Sequence, residues 1–171
     1  MDCTKLTMSA MKRYILILPF VFFIHDIEEI VFVESFLEAQ SLLPISITTM
    51  EFTFAFLLLF IFFVWGCMTA YRGKHVIGLQ PDRFLLFATS LLGMNAFGHI
   101  GQVFIFQMYV PGVVTGLFIV LPVCFLIAIH LLKQEIVTRC TVVKYSLIAF
   151  FVQIPLAGCS ILVSKWLFQV V

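Results

Sequence analysis

The sequence predicts an all-α, polytopic membrane protein of about five transmembrane helices, with polar residues clustered between helices 1 and 3. Three observations carry that expectation. Of 171 residues, 63% are apolar and only 11% charged, against about 25% charged in soluble domains, so water cannot solvate a chain of this size as a globule. The apolar residues fall into five runs, each near the roughly 20 helical residues that cross a bilayer core of about 30 Å, where a helix satisfies its own backbone hydrogen bonds. Ionic and amide side chains recur inside two of those runs at matching depth. A net charge of +1 leaves no electrostatic field for nucleic acid. The five cysteines include no C-x-x-C pair, which predicts neither a disulfide framework nor a thiolate metal site.

The runs follow in order. The first, Tyr14 to Val33, comes after Lys5, Lys12 and Arg13. A basic segment before an apolar one also describes a signal peptide, but no small-residue cleavage site follows, so a retained span is expected. Glu34 to Pro44 is mixed and too short to cross, and reads as an interfacial helix or loop. The second run, Glu51 to Tyr71, opens on the T-x-x-E spacing of a capping box at Thr48 and Glu51. The third, Phe84 to Val110, has Asp82 after Pro81 placed to cap it. Tyr109 to Gly112 turns sharply into the fourth, Gly112 to Leu132. The fifth runs from Val143 to about Leu167. Pro19, Pro122 and Pro155 lie within runs and are expected to kink them.

Nine of the ten Lys and Arg residues fall on one side of such a topology, and only Lys165 on the other. Short basic loops stay in the cytoplasm. The expectation is an integral protein of a bacterial cell membrane, N-terminus cytoplasmic and C-terminus exterior.

His25, Asp26, Glu28 and Glu29 lie inside the first run. Each central acid costs about 2.5–3.5 kcal/mol on an insertion scale, so three cost on the order of 8–10 kcal/mol before any partner is counted. At about 100° per residue, with His25 as zero, Glu29 sits near +40°, Glu28 near −60° and Asp26 near +100°, a single polar side of the helix. In the third run Asn95, His99 and Gln102 follow i, i+4, i+7 spacing within about 60°. The two runs cross in the same direction. At about 1.5 Å per residue His25 and Asn95 lie near 17 Å deep, and Glu29 and His99 near 23 Å. The two stripes are therefore expected to face each other. Gly93, Gly98 and Gly101 remove bulk beside the second stripe and permit close helix approach.

Three functions fit such a cluster: a membrane-embedded active site, a proton-coupled or ion-conducting path, or a hydrogen-bonded structural subunit. Matched depth without a polar ladder down to the cytoplasm favours the first, acting on a lipid-like or amphipathic small molecule drawn from the bilayer. His25, Glu28, Glu29 and His99 offer imidazole and carboxylate ligands suited to a divalent metal, zinc or iron. A metal-free Glu/His acid–base pair uses the same residues. The catalytic set is then His25, Glu28, Glu29, Asn95 and His99, with Asn95 an orienter or oxyanion donor. His75, among Arg72 and Lys74, reads as a solvated loop residue, His130 as an interfacial anchor, Glu34 and Glu38 as a solvated face, and the 21 phenylalanines as packing bulk. Oligomeric state is not legible.

The order of His25-Asp26-Ile27-Glu28-Glu29 in the first run, Asn95 and His99 in the third, then Tyr109-Val110-Pro111-Gly112 and Thr115, resembles the HXXEE-domain family of integral membrane proteins. The resemblance extends from the first run through the fourth. It implies the same site residues and a suspected enzymatic role, without naming a reaction.

Overall fold

The computed structural model describes residues 3–40, 42 and 46–170, with side chains described from residue 10 to residue 169. The described residues form five helices: α1 Cys3–Ala39, α2 Thr49–Tyr71, α3 Pro81–Phe106, α4 Val113–Lys133 and α5 Arg139–Val170. Helices α2 to α5 are long and apolar enough to cross a membrane. Helix α1, at 37 residues, contains the first apolar run. Its Asp26, Glu28 and Glu29 keep it out of the class defined by length and composition alone.

Several boundaries differ from expectation, each for a local reason. Of the helix or loop expected after Val33 the helix forms, continuing α1 six residues to Ala39, because Val33 and Phe36 are buried and Phe36 stacks edge-on against Phe106, ring centroids 5.3 Å apart. Within the expected linker from Glu34 to Pro44, residues 41 and 43–45 lie outside the described residues. At α2 the capping box forms: the Thr48 hydroxyl accepts from the Glu51 N–H at 3.2 Å, and Glu51 Oε2 accepts from the Thr48 N–H at 2.8 Å. At α3 it does not. Gln80 is the N-cap without a side-chain bond, Pro81 occupies the first turn, and Asp82 reaches Arg83 at 3.5 Å instead of capping. Helix α3 stops at Phe106, where Gln107 takes φ +54° and the left-handed conformation ends the helix before Val110.

Helix α4 is not a uniform α-helix. Gly116–Val120 forms a π turn, closed by the Leu121 N–H on the Gly116 carbonyl. Pro122 follows directly. It has no N–H to give back along the helix and its ring crowds the preceding turn, which accounts for the widened bond pattern there.

Helix α3 is the centre of the bundle: 56% of its apolar window is buried, against 11% for α5. Leu85, Leu92 and Ala96 of α3 pack with Ile15 and Leu18 of α1 and with Val120, Ile127 and Leu131 of α4. Gly93 lets α4 approach, since a Cβ there would meet Cys124 at 3.5 Å, whereas Gly98 and Gly101 face open space. Lys12 lies over the Tyr71 ring and Tyr14 packs edge-on against His130, so the apolar run of α1 begins where α2 and α4 end. It ends where α3 ends, at the Phe36 and Phe106 rings. Helices α1 and α3 therefore run in the same direction. The far end of α5 is tied to the start of α2 by the Ser164 hydroxyl on the Glu51 carbonyl at 2.6 Å and by Lys165 Nζ on the Ser46 carbonyl.

Candidate metal centre

The parallel course of α1 and α3 brings the two polar stripes face to face. Glu29 Oε1 lies 3.2 Å from His25 Nε2, one turn away on α1, and 2.8 Å from His99 Nε2 on α3. The Asn95 amide nitrogen bridges the two imidazoles, 3.0 Å from His25 Nε2 and 3.2 Å from His99 Nε2. The His25 and His99 rings meet edge-on with centroids 5.1 Å apart. His25 is fully buried, while the Glu29 and His99 side chains retain 13% and 11% exposure.

Glu29 Oε1 is close to both ring nitrogens yet forms no well-directed hydrogen bond with either. With Asn95 oriented to donate to both rings, each Nε2 presents a lone pair, and three electron-rich atoms face one another. Such an array is relieved by a cation. His25, Glu29 and His99 each offer one ligand atom, all within 4.8 Å of one another. Donors at about 2.1 Å from a tetrahedral zinc stand roughly 3.4 Å apart, so holding one would require the 2.8 Å and 3.2 Å contacts of Glu29 to open within a group whose atoms already lie inside 4.8 Å. Two imidazoles and one carboxylate leave a coordination position free, and the same set suits iron.

Glu28 points elsewhere. Although adjacent to Glu29 in sequence, it sits about 100° away around the helix and reaches the start of α4. Its Oε1 accepts from the Tyr109 hydroxyl at 2.6 Å and the Val114 N–H at 3.1 Å. Its Oε2 accepts from the Thr115 N–H at 2.7 Å and the Thr115 hydroxyl at 2.6 Å. The N-cap of α4 is Gly112, which has no side chain, so the carboxylate that satisfies these terminal N–H groups comes from the neighbouring helix. Thr115 Oγ1 in turn lies 2.9 Å from His25 Nδ1.

Two glycines make this approach possible. At Gly112, φ is +85°, and a Cβ would stand 2.9 Å from His25 Cε1 and 3.0 Å from Glu29 Oε1; at Gly116 it would meet Ala96 Cβ at 3.3 Å and His25 Cε1 at 3.6 Å. The sequence marks a turn from Tyr109 to Gly112 and gives Gly116 no role. A proline–glycine pair signals the turn, but nothing local signals the imidazole against it.

Asp26 is buried, and its Oδ2 has no hydrogen-bond partner among the described residues; the same holds for His99 Nδ1. Gln102 does not join the group. His75 is exposed, and His130 packs against Tyr14. Glu34, beyond the first apolar run, accepts from the Thr49 hydroxyl and N–H at 2.5 and 2.9 Å, which hold its carboxyl below the usual range.

No curated protein and no solved structure matches the chain. A family model does match: residues 16–127, from within α1 through most of α4 and thus including His25, Glu29 and His99, fit the family described as protein of unknown function with HXXEE motif, and the chain belongs to that family.

Proposed function

We propose that the protein is a membrane-embedded, metal-dependent enzyme acting on a lipid-like or amphipathic substrate. The observation that carries the reading is the convergence of His25, Glu29 and His99 ligand atoms within 4.8 Å, beside helices long enough to cross a bilayer. A buried carboxylate facing two imidazole lone pairs is costly in a low dielectric unless a cation joins them. Bound zinc or iron would polarise a substrate oxygen or acidify a water in the free coordination position. Asn95 contacts both imidazoles through its amide nitrogen and supplies a donor for a developing oxyanion. Glu28 serves through Thr115 instead of as a ligand.

The substrate class follows from depth. At about 1.5 Å per residue from Tyr14, the group lies roughly 17–23 Å into the first span, where only a molecule that partitions into the bilayer arrives readily. The basic residues around the start of α1 and in the turns after α2 and α4 support a cytoplasmic side for those ends and an exterior C-terminus.

One contact favours a metal-free variant: Glu29 Oε1 at 2.8 Å from His99 Nε2 is also the spacing of an acid–base pair. A proton path is less well supported. The chain of bonds from Tyr109 through Glu28, Thr115, His25 and Asn95 reaches His99, whose Nδ1 has no partner among the described residues, whereas a conducting path continues.

The test is elemental analysis of detergent-purified protein, followed by zinc titration after chelation. One zinc or iron per chain, lost in Glu29→Gln and in His99→Ala, supports the metal enzyme. Absence of metal together with no zinc uptake at micromolar concentration overturns it and leaves the acid–base pair.

A further inference from the structure

We infer that Glu28 and Thr115 form a proton-ordering relay that presets His25 as an Nε2 ligand, so that Thr115 is a positioning residue of the site. The inference rests on the metal-centre reading. It follows from counting hydrogens along three side chains.

Four donors surround the Glu28 carboxylate: the Tyr109 hydroxyl, the Val114 and Thr115 N–H groups, and the Thr115 hydroxyl. A carboxylate accepts only, so it returns no hydrogen to Thr115. The threonine hydroxyl has one hydrogen, directed at Glu28 Oε2 over 2.6 Å. Its oxygen can therefore only accept across the 2.9 Å contact with His25 Nδ1, and the ring N–H must lie on that side. A neutral imidazole carries one proton. His25 Nε2 is left with its lone pair, and that is the atom 3.2 Å from Glu29 Oε1.

The relay is held rigidly. Thr115 donates its backbone N–H to the same Glu28 oxygen that takes its hydroxyl, which pins the side-chain direction to the helix backbone. Gly112 and Gly116 admit the His25 ring to this turn. A ligating histidine ordinarily donates its second N–H to a carboxylate or other acceptor, which fixes the tautomer and raises ligand basicity. Here a threonine hydroxyl stands between the two. His99 has no equivalent support, because its Nδ1 is buried without a partner among the described residues. The two imidazoles are thus inequivalent. His25 is ordered in the metal-free protein, while a proton on His99 Nδ1 meets no acceptor among the described residues.

The experiment is ¹⁵N NMR of the full chain in detergent with ¹⁵N-labelled histidine, His25 assigned by loss of its signals in His25→Gln, together with zinc titration and thermal unfolding of Thr115→Val and Thr115→Ser. In the metal-free wild type His25 should show a protonated Nδ1 and an unprotonated Nε2. Thr115→Val keeps the shape and removes the hydroxyl; it should shift His25 toward the other tautomer and weaken zinc binding by about 10–100-fold. Thr115→Ser should restore both, a rescue that general loss of packing would not give. Wild-type zinc binding that Thr115→Val leaves unchanged, or a wild-type His25 protonated at Nε2, would overturn the relay while the metal centre stands. A tautomer that responds to Thr115→Val in a protein that takes up no zinc would overturn the metal centre and retain the relay.

Discussion

Replacing Gly112 with alanine tests the geometry of the site at its tightest point. The residue has φ +85°, and the added methyl would stand 2.9 Å from His25 Cε1, 3.0 Å from Glu29 Oε1 and 3.1 Å from Glu29 Cγ. A left-handed conformation costs an L-residue about 1–2 kcal/mol, and a methyl forced into a packed interior typically costs about 1–3 kcal/mol. The ring cannot swing aside cheaply, because Thr115 holds one nitrogen and Asn95 the other. Together the effects come to about 2–5 kcal/mol, a fall in Tm of roughly 4–20 °C by the scaling for chains of this size. Displacing His25 should also weaken zinc binding by about tenfold or more. The control is built into α3: at Gly98 and Gly101 nothing lies within 4 Å of a new Cβ, so alanine there should be neutral or stabilise by about 0.5–1 kcal/mol through helix propensity. The assay is thermal unfolding of purified protein in detergent alongside zinc titration. A Gly112→Ala protein as stable as Gly98→Ala, with unchanged metal binding, would show that α4 does not begin against His25.

Other outcomes follow from the same geometry. Glu29→Gln removes a buried charge while keeping shape, so it should insert normally and lose metal without a large fall in Tm; large stability losses in Glu29→Gln, His99→Ala and the double mutant with unchanged metal content would instead mark the cluster as structural. A reporter fused after Val171 should be exterior, and a cysteine placed near Lys74 should react only with reagents that reach the cytoplasm; a cytoplasmic C-terminus would defeat the five-crossing topology. Glu34 contributes stability that is present above the ordinary glutamate range and lost as pH falls through its lowered value, since its folded-state pKa is depressed by the Thr49 hydroxyl and N–H. In Thr49→Val a ¹³C titration of the Glu34 carboxyl should return toward the ordinary range, and an unchanged titration would disprove that cause.

Much of the site could be read from helical arithmetic. His25 with Glu29, and Asn95 with His99, are i, i+4 pairs at equal distance from the start of two parallel runs, and depth plus angle suffices to bring them together. The same arithmetic also held the limit for Glu28. Being about 100° from Glu29 on a helix of about 3.6 residues per turn, the two adjacent acids face different neighbours, but which neighbour waits for Glu28 depends on how the chain re-enters after Gln107. The earlier end of α3 was not legible, because Gln107 adopts the left-handed conformation without the glycine that usually announces it. Nor was it legible that the helix after Val33 would run on unbroken from α1 to Ala39, since the buried Val33 and Phe36 have meaning only with Phe106 opposite. Gly112 and Gly116 act through tertiary approach, which no local pattern records.

The π turn in α4 sets the rotational phase of everything after it. Val120, Cys124, Ile127 and Leu131 form a buried stripe, while Thr115, just before the wide turn, is committed to Glu28. An uninterrupted α-helix from Thr115 would reach the second requirement one residue too soon, so the extra residue reconciles two faces that a constant period cannot serve together. Chain length here is consequently not uniform in its importance. Deleting one residue from 117–119 should close the wide turn to ordinary α geometry and leave both ends seated. Deleting Val123 would rotate Ile127 and Leu131 by about 100° off α3, and the last turns of the helix would carry polar and apolar sides to the wrong surfaces.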